Sequence, residues 1–290
     1  MKRCLECAAE YTAVLSACPA CGFEPVHVDG FIAHAPQLAH AGGGFEAGYF
    51  PLLAGLEASN FWFRARNELI LWAMQRYCGT VQSYFEIGCG TGFVLQGVAK
   101  RFPHTVLAAS EVFTAGLGFA SQRVPGATLM QMDARAIPFS AEFDVLGAFD
   151  VLEHIDDDVA VLDQAFRALR PGGHLLLTVP QHAWLWSPSD DYARHERRYS
   201  SVELHAKVGA AGFVLRRSTS FVSLLLPLML ASRLKSRRKQ EEFDPRDEFN
   251  LPHWMNKALY GVMAFERGTI RLGLTLPWGG SRLVVAQKPG

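Results

Sequence analysis

Four of the six cysteines lie within the first 21 residues, in two pairs that could bind one metal ion. They are spaced as Cys4-x-x-Cys7 and Cys18-x-x-Cys21, and Gly22 follows the second pair directly. Four thiolates offer the tetrahedral sulfur ligands that zinc prefers, and four protein ligands leave no position open for chemistry. The spacing therefore predicts a structural zinc site, with a redox pair or incidental thiols as the alternatives.

A glycine-rich turn is the second chemical feature. It runs Glu86-Ile-Gly88-Cys-Gly90-Thr-Gly92, at the predicted junction between a strand and a helix. Glycines let the backbone approach a ligand closely, and the first turn of the helix offers free amides. The Gly-x-Gly-x-Gly spacing and the acid at the strand end argue against the dinucleotide pattern Gly-x-Gly-x-x-Gly.

Two more acids follow the next two predicted strands. Glu111 ends the second strand, where a carboxylate can accept both hydroxyls of a ribose. Asp133 follows the third strand, where it could accept hydrogen bonds from an adenine amino group. The alternatives are a solvated loop acid for Glu111 and a helix or turn cap for Asp133.

The hydrophobic pattern predicts the elements that must position these residues. Helical spacing over 49–77 indicates two helices, the second capped by Ser59-Asn60. Strands then alternate with helices predicted at 93–101, 114–123, 157–169 and 201–211. The seven predicted strands are 83–87, 105–110, 127–132, 143–148, 174–179, 213–218 and 281–287. Such alternation predicts an α/β fold with a mostly parallel sheet and helices on both faces.

Several stretches resemble the class I S-adenosylmethionine-dependent methyltransferases. They are FEIGCGTGFVLQ, ASEV, MQMDARAIPF, FDVLGAFDVLEHIDD and ALRPGGHLLLTVP, in family order over about residues 83–180. The N-terminal cysteine module together with FWFRARN resembles one subgroup of bacterial methyltransferases. The resemblance implies a seven-stranded Rossmann-like methyltransferase sheet and a small N-terminal Cys4 zinc ribbon.

The resemblance also implies how S-adenosylmethionine would bind. The glycine loop would pack against its methionine part, with Glu86 near the amino group. Glu111 would bind the ribose, and Asp133 with the backbone of Ala134 would bind the adenine. Phe149 and Asp150 would line the wall beside the sulfonium, although Asp150 could instead cap a turn. The full set of expected cofactor contacts is Glu86, Gly88, Cys89, Gly90, Gly92, Glu111, Val112, Asp133, Ala134, Phe149 and Asp150.

Candidate catalytic and substrate residues follow the fourth and fifth strands. His154 is the first candidate for a base or a substrate-orienting group, because imidazole accepts a proton near neutral pH; its alternative is a histidine that fixes the loop. The segment 190–199 is rich in arginine, histidine and tyrosine. Arginine there could clamp a phosphate or carboxylate, with internal ion pairs as the alternative. Besides His195 as a second catalytic candidate, we predict substrate contacts by Trp186, Arg198 and Tyr199.

A charge-free stretch at 218–232 is the last feature. Its fifteen residues are too few to span a bilayer but suit an interface, and basic residues follow that could attract anionic lipid. These are Arg233, Lys235, Arg237, Arg238 and Lys239. We expect peripheral membrane contact through 218–239, with a lid or a dimer contact as the alternatives. The stretch opens an apolar helical insertion at about 220–275, with a second helix near 254–265.

Composition bounds the remaining classes of protein. With 290 residues and 49% hydrophobic residues the chain can build a sizeable core, which excludes a mainly disordered protein. The 28 basic and 28 acidic residues balance, so no electrostatic footprint for nucleic acid is visible. We expect a cytoplasmic protein, since the start lacks the apolar core of a secretion signal.

The sequence thus predicts a zinc-ribbon-like module (1–30), a linker (31–48) and a methyltransferase domain (49–290). The expected activity is methyl transfer from S-adenosylmethionine to a small or lipid-linked acceptor related to cell-surface glycans. One alternative is a non-catalytic cofactor-binding scaffold that docks a partner through the ribbon. A nucleic-acid or protein methyltransferase is the other; nucleic acid is disfavoured by the neutral charge and by the absence of an Asn-Pro-Pro-Tyr-like motif.

Overall fold

The computed structural model describes residues 1–12, 16–40, 47–238 and 251–290. Its strands are β1 Lys2–Arg3, β2 Glu10–Tyr11, β3 Val26–Val28, β4 Phe31–Ala33, β5 Ser83–Ile87, β6 Val106–Glu111, β7 Thr128–Gln131, β8 Phe143–Phe149, β9 Leu169–Pro180, β10 Val214–Phe221 and β11 Ser281–Gln287. Its α-helices are α1 Phe50–Leu56, α2 Phe61–Tyr77, α3 Phe93–Arg101, α4 Thr114–Arg123, α5 Asp158–Ala168, α6 Pro188–Tyr192, α7 Ser201–Ala210, α8 Leu226–Arg238 and α9 His253–Arg271.

One large sheet organises the chain, in the order β10-β11-β9-β8-β5-β6-β7-β4-β3. The strands from β9 across to β7 run parallel, whereas β11 pairs antiparallel with both β9 and β10. From β5 the chain first builds β6 and β7 on one side, and then β8 and β9 on the other. The strand order therefore reverses at β5, and a crevice opens at the carboxyl ends there, which is where open α/β sheets bind ligands.

All seven predicted strands are present in the sheet, and the predicted α/β fold class is confirmed. The predicted helices are present too, with ends that differ by at most two residues in the series from 93 to 211. Asn60 caps α2 as expected, because its side chain accepts a hydrogen bond from the Trp62 amide at 2.9 Å. β9 begins earlier than predicted, at Leu169, which pairs with Phe143 before a register shift.

Two further strands come from residues that were predicted to be the end of the cysteine module and a linker. β4 pairs in parallel with β7, with Ile32 opposite Met130, and β3 pairs with β4. The Gln131 side chain extends this contact through hydrogen bonds to the amide and the carbonyl of Ala35, at 3.1 and 2.8 Å. Residues 31–35 therefore belong to the sheet and its margin. Strands of three residues are too short to give a periodic signal, and β7 offers them a backbone edge to pair with.

Helices cover both faces of the sheet, as the alternating pattern predicted. One buried cluster joins α2, α3 and α4 to the sheet and includes Ile70, Leu95 and Leu117. The other joins α5 and α7 to the opposite face and includes Leu162 and Leu204. Burial of such aliphatic side chains contributes roughly 1.5–3 kcal/mol each, so the two clusters fix the sheet from which the site is built.

The described part of the predicted insertion contains helices α8 and α9, and α9 packs along α2. None of the described helices is long and apolar enough to cross a bilayer. Lys239, the last residue of the predicted membrane-contact segment, lies outside the described residues, as does the acidic run that follows it.

Candidate functional site

The N-terminal cysteines converge as their spacing predicted. The four Sγ atoms of Cys4, Cys7, Cys18 and Cys21 lie within 4.8 Å of one another. The Cys4–Cys21 and Cys7–Cys18 sulfur pairs are each 3.6 Å apart, and none of the four forms a disulfide. Sulfurs on a tetrahedral zinc ion with bonds of about 2.3 Å would be roughly 3.8 Å apart, so the cluster fits such an ion.

Two similar backbone turns bring these sulfurs together. The Ala8 amide donates to the Cys4 carbonyl at 3.1 Å, and the Gly22 amide donates to the Cys18 carbonyl at 2.8 Å. The residue after each second cysteine has a left-handed backbone, with φ of 61° at Ala8 and 77° at Gly22. Glycine adopts this conformation without strain, so the identity of Gly22 follows from the turn that it must make.

A cavity of about 1120 Å³ opens at the carboxyl ends of β5, β6, β7 and β8. Every predicted cofactor contact except Gly92 lines it. Among the described residues its wall includes nine carboxylates but four arginines and no lysine, which favours a ligand with positive charge. The acids are Glu57, Glu86, Glu111, Asp133, Asp150, Glu153, Asp156, Asp190 and Glu196.

The glycine loop separates into residues that face the cavity and one that does not. Gly88 has φ of +64°, and a Cβ there would lie 2.5 Å from a methyl carbon of Val151. Gly92 faces away: it is the N-cap of α3, and a Cβ would lie 2.9 Å from the Cα of Ala120 in α4. Gly92 therefore does not line the cavity, where a cofactor contact was predicted. It instead allows α3 and α4 to pack closely.

Glu111 is anchored by the backbone around it. Its Oε2 accepts a hydrogen bond from the Gly90 amide at 3.0 Å, and its Oε1 accepts one from the Val112 amide at 2.8 Å. Burial raises the pKa of the carboxyl, while these amides and that of Phe113 oppose the shift. Each carboxylate oxygen has further lone pairs, so a carboxylate fixed in this way could still accept both hydroxyls of a ribose.

Glu86 lies at the end of β5 in a buried polar cluster. Burial raises its pKa to about 8, while a hydrogen bond from the Tyr84 hydroxyl at 2.7 Å and the charge of Arg66 oppose the shift. Arg66 comes from α2 and forms an ion pair with Asp150, whose Oδ1 also accepts a hydrogen bond from Thr178 at 3.2 Å. A cationic amino group beside Glu86 would favour its ionised form, so the arrangement fits the role that the resemblance implied.

Asp133 lies at the cavity, where the adenine contact was predicted, and also forms the turn cap that was the alternative. It lines the cavity at the end of β7, and its Oδ1 accepts a hydrogen bond from the Arg135 amide at 2.9 Å, as a turn cap does. The Arg135 side chain also bonds both oxygens of Asp133, at 3.1 and 3.2 Å from Nε. A bound adenine would have to share the carboxylate with this arginine or displace it.

His154 and His195 meet at the cavity wall, although they come from different segments. Their ring centroids are 4.7 Å apart in an edge-to-face arrangement. Burial, and secondly the nearby His195, lower the pKa of His154 to about 3. This lowered pKa makes His154 a weaker proton acceptor than an ordinary imidazole, and its role as a base or an orienting group stays a prediction.

The predicted substrate residues Arg198 and Tyr199 are mainly structural. Arg198 lines the cavity, but its Nε donates to Asp190 at 2.7 Å and Nη1 donates to the Gln181 carbonyl at 3.3 Å. Tyr199 is fully buried away from the cavity, and its hydroxyl donates to Asp158 at 2.6 Å. The structure therefore places Tyr199 in the core rather than at the cavity, where the substrate contact was predicted, and the alternative of internal ion pairs describes the contacts of Arg198.

Trp186 is not part of the cavity wall either. Its indole Nε1 donates to Asp191 at 2.9 Å, on the outer side of the short helix α6. Besides Phe93 of α3 and Phe149 of β8, the described phenylalanine, tyrosine and tryptophan side chains that line the cavity come from the start of α1, from α2 and from α6: Tyr49, Phe50, Phe61, Trp62, Phe63 and Tyr192. They reach the site only through tertiary packing.

The segment between β4 and β5 contacts the glycine loop. The sequence analysis had not assigned this segment to the site. Glu57 at the end of α1 accepts hydrogen bonds from Thr91 and from Arg123, each at 2.6 Å. The rings of Tyr49 and Tyr192 lie 4.9 Å apart, across the gap between α1 and α6. Both segments contribute to the cavity wall, and we name residues 49–57 together with α6 the lid.

Arg66 is the functional residue with the clearest signal that sequence reasoning missed. It lies at helical spacing from Phe63 and Ile70, on the apolar face of α2. An arginine in the middle of such a face must be buried with a partner, which here is Asp150. That pattern is readable from the sequence, but its partner is not.

The insertion contributes to the same cavity. Leu228, Met229 and Arg233 of α8 line it, together with Met255 and Leu259 of α9. Arg233, one of the basic residues predicted to attract lipid, lies 3.4 Å from Asp190 with 12% of its side chain exposed. This arginine is therefore turned towards the site, since a buried carboxylate attracts it there.

Part of the chain is similar to known methyltransferases. Residues 85–177 match the family model of the methyltransferase domain. The chain is 29% identical over 168 residues to a protein of Mycolicibacterium smegmatis named "Probable S-adenosylmethionine-dependent methyltransferase", covering 56% of this chain and 62% of that protein. It spans less than two thirds of the length of the curated relatives that it matches first.

Two solved structures share the fold at 20% identity. Haemonchus contortus phosphoethanolamine N-methyltransferase 2 in complex with S-adenosyl-L-methionine gives a TM-score of 0.51, covering 76% of this chain and 52% of that one. The 4+2 cyclase SpnF gives a TM-score of 0.53, covering 79% of this chain and 82% of that one. Residues 85–177 are thus similar to the methyltransferase domain, and the chain shares the α/β fold of these solved structures.

Proposed function

We propose that this protein transfers a methyl group from S-adenosylmethionine to an acceptor bound in the same cavity. The observation that carries the proposal is the placement of Glu86, Glu111 and Asp133. They lie at the carboxyl ends of three neighbouring parallel strands, around a glycine loop and in one cavity. Three acids at this spacing match the amino group, the ribose and the adenine that S-adenosylmethionine presents in turn.

The charge of the cavity supports the same ligand. S-adenosylmethionine supplies a methyl group on a positively charged sulfur, and the wall holds an excess of carboxylates over arginines. Arg66 pairs with Asp150 and keeps this acid in place beside the wall, while Gly88 lines the wall with its backbone packed against Val151. Methyl transfer is an in-line displacement, so the main task of these residues is to hold both reactants in line.

The far side of the cavity fits an acceptor with an apolar part. Trp62, Met229, Met255 and Leu259 line it, and the lid of α1 and α6 can exclude water. We therefore propose a small-molecule or lipid-linked acceptor, with a cell-surface glycan precursor as the first class to test. The acidic wall disfavours a nucleic acid, whose phosphates it would repel.

We propose a structural zinc ion for the four N-terminal cysteines. The sulfur distances support it, because they match a tetrahedral thiolate site. Elemental analysis of the purified protein should give one zinc per chain, and Cys21→Ser should lower that content. A zinc content well below one in the reduced wild-type protein would contradict the assignment.

We further propose peripheral membrane contact through 218–239, extended by the neighbouring helix α9. Leu224 and Leu228 are about half exposed, and Trp254 and Phe265 are each 69% exposed on α9. The last two are three helical turns apart and lie on one face, which suits the interface of a bilayer. A cytoplasmic protein that acts at the inner membrane surface would use such a face.

Sedimentation with vesicles tests this contact. Trp254→Ser and Phe265→Ser should weaken binding to vesicles of phosphatidylglycerol and phosphatidylcholine. Val202→Ser is the matched control, because Val202 is 78% exposed on α7, outside the insertion. Equal binding by all variants, or no binding by the wild type, would reject membrane contact and leave a lid or a dimer contact as the role of this face.

Calorimetric titration of the zinc-loaded protein with S-adenosylmethionine and S-adenosylhomocysteine tests the main proposal. Micromolar binding is expected, followed by transfer of labelled methyl to a component of a lipid extract. Binding without transfer to lipid, nucleic-acid or protein extracts would instead support the alternative of a cofactor-binding scaffold. A folded, zinc-loaded protein that binds neither compound would contradict the proposal.

A further inference from the structure

Glu153 is a buried acid without a partner among the described residues. Its exposed fraction is 0%, and neither carboxylate oxygen has a hydrogen-bond partner. Burying a polar group without compensation costs several kcal/mol as an order of magnitude, so almost all such groups are paired in native proteins. An orphaned carboxylate at the wall of a ligand cavity therefore indicates a ligand that completes it.

Two histidines lie beside this carboxylate. One carboxylate oxygen of Glu153 and one ring nitrogen each of His154 and His195 all lie within 4.8 Å of one another. Two imidazoles and one carboxylate are a common ligand set for divalent transition metals, and three protein ligands leave positions open for other molecules. The three side chains line the cavity, so the open positions would face the proposed acceptor.

His195 is held as metal-binding histidines usually are. Its Nδ1 lies 2.9 Å from Oδ1 of Asp190, a hydrogen bond that leaves the lone pair of the ring on Nε2. Asp190 is itself 1% exposed and is fixed by Arg198 at 2.7 Å and by the Ser187 amide at 2.9 Å. A carboxylate that orients the ring in this way raises its basicity as a ligand.

We propose that Glu153, His154 and His195 bind one divalent transition-metal ion, and that this ion coordinates a hydroxyl oxygen of the methyl acceptor. The second clause rests on the proposed methyl transfer, whereas the first stands on the geometry alone. Coordination makes the hydroxyl more acidic, and its proton is released to water. The acceptor oxygen then forms a bond to the methyl carbon while the bond from that carbon to sulfur breaks, leaving its electron pair on the sulfur.

The ion differs in kind from the zinc ion of the cysteine cluster, and this difference gives a selective probe. Soft thiolates favour zinc, whereas manganese favours oxygen and nitrogen ligands. Electron paramagnetic resonance can therefore follow Mn²⁺ binding to the full-length, zinc-loaded protein. One Mn²⁺ per chain is expected, and spin-echo modulation should show coupling to imidazole nitrogen.

Three variants make the test specific. Glu153→Gln keeps the shape of the side chain, and it should weaken Mn²⁺ binding at least tenfold, as should His195→Ala. His182→Ala is the control, because His182 does not belong to the three-residue group and should leave binding unchanged. Circular dichroism and thermal melting report whether each variant folds, and Mn²⁺ should raise the melting temperature of the wild type and not that of Glu153→Gln. Failure of the wild type to bind Mn²⁺, or equal binding by Glu153→Gln, would overturn the proposal.

Activity separates the two clauses. Methyl transfer that survives complete removal of Mn²⁺ and of other metals from this site would overturn the role of the ion in the reaction. If the protein binds Mn²⁺ through the three residues but transfers no methyl group, the metal site stands and the proposed function fails.

Discussion

At the scale of single residues, the acids of the cavity wall differ in the groups that donate hydrogen bonds to them. Glu111 is fixed by three backbone amides, Glu86 by a tyrosine hydroxyl, and Asp133 by Arg135. The backbone amides favour the ionised form of Glu111, although burial has the larger effect and raises the pKa of this carboxyl. The proposed cofactor site thus combines acids that differ in their hydrogen-bond partners.

Glu111 gives the most direct prediction for cofactor affinity. Glu111→Ala should weaken S-adenosylmethionine binding by about 1.5–3 kcal/mol, or roughly 10–150-fold, because charge-assisted hydrogen bonds to the ribose are lost. Calorimetric titration measures the change. Glu203→Gln serves as control, since this glutamate is exposed on α7 in an ion pair with Lys207. An affinity unchanged in Glu111→Ala would mean that the ribose does not lie at this acid.

Glu86 predicts how stability depends on pH. Its pKa in the folded protein is raised to about 8 by burial, so the stability that it contributes is fully present below its ordinary pKa of 4.5 and is lost as pH rises through 8. Between pH 5 and pH 8 the free energy of unfolding of the ligand-free wild type should fall by about 3 kcal/mol relative to Glu86→Gln, at about 1.4 kcal/mol per pKa unit.

Urea unfolding of both proteins at several pH values measures this difference. The comparison cancels the other titrating groups, among them Glu57, whose charge reaches Glu86, provided that their environment is unchanged. A difference that stays constant between pH 5 and pH 8 would show that Glu86 is already ionised at pH 5 in the folded protein.

At the scale of elements, the turn between β5 and α3 determines what the site can accept. Gly88 has a left-handed backbone and lies against Val151, in the turn that follows β8. The turns that follow β5 and β8 thus lie so close together that Val151 occupies the space of a side chain at position 88. This contact explains why the first glycine of the loop has no room for a substituent.

Gly88→Ala should therefore destabilise the protein and abolish cofactor binding. The strain of a left-handed alanine costs about 1–2 kcal/mol, and the contact with Val151 adds to it. Gly118→Ala is the matched control, because Gly118 lies within α4 with open space around its Cα and should stabilise by up to about 1 kcal/mol. Thermal melting and calorimetry measure both variants. A Gly88→Ala protein with normal stability and affinity would show that the loop adopts another conformation.

At the scale of the whole molecule, the cysteine cluster is joined to the sheet domain at both ends. Before the first cysteine, the Arg3 amide donates to the Pro138 carbonyl at 3.0 Å, and the Ser140 amide donates to the Met1 carbonyl at 3.0 Å. After the last cysteine, β3 and β4 continue the large sheet. We expect the folding of so small a module to depend on these contacts and on the proposed zinc ion.

Removal of the metal from the cysteine cluster should therefore change hydrogen exchange in the main domain. We expect faster hydrogen exchange at the amides of Arg3 and Ser140, and then along β3 and β4, because the pairing of these segments loses its anchor. Mass spectrometry before and after treatment with a strong thiol-reactive zinc-releasing agent measures it. Slow exchange at these amides after zinc loss would show that the module folds without its metal.

The sequence by itself determined the sheet strands from 83 onwards, the glycine loop and the cysteine cluster. It also determined the acids at the carboxyl ends of β5, β6 and β7. These features are local: a strand or helix period, a turn residue or a short ligand spacing is written within a few consecutive residues. The carboxyl ends of parallel strands meet at one edge, so even the convergence of the three acids could be predicted.

Only the tertiary structure decided which side chains of distant segments meet. Arg66 with Asp150, Tyr49 with Tyr192, and Glu153 with the two histidines are contacts between segments far apart in the chain. Burial decided between alternatives as well, placing Tyr199 in the core and Gly92 between two helices. The reason is that contact partners and burial depend on how the elements pack. The type of a residue does not determine which distant residue it will contact.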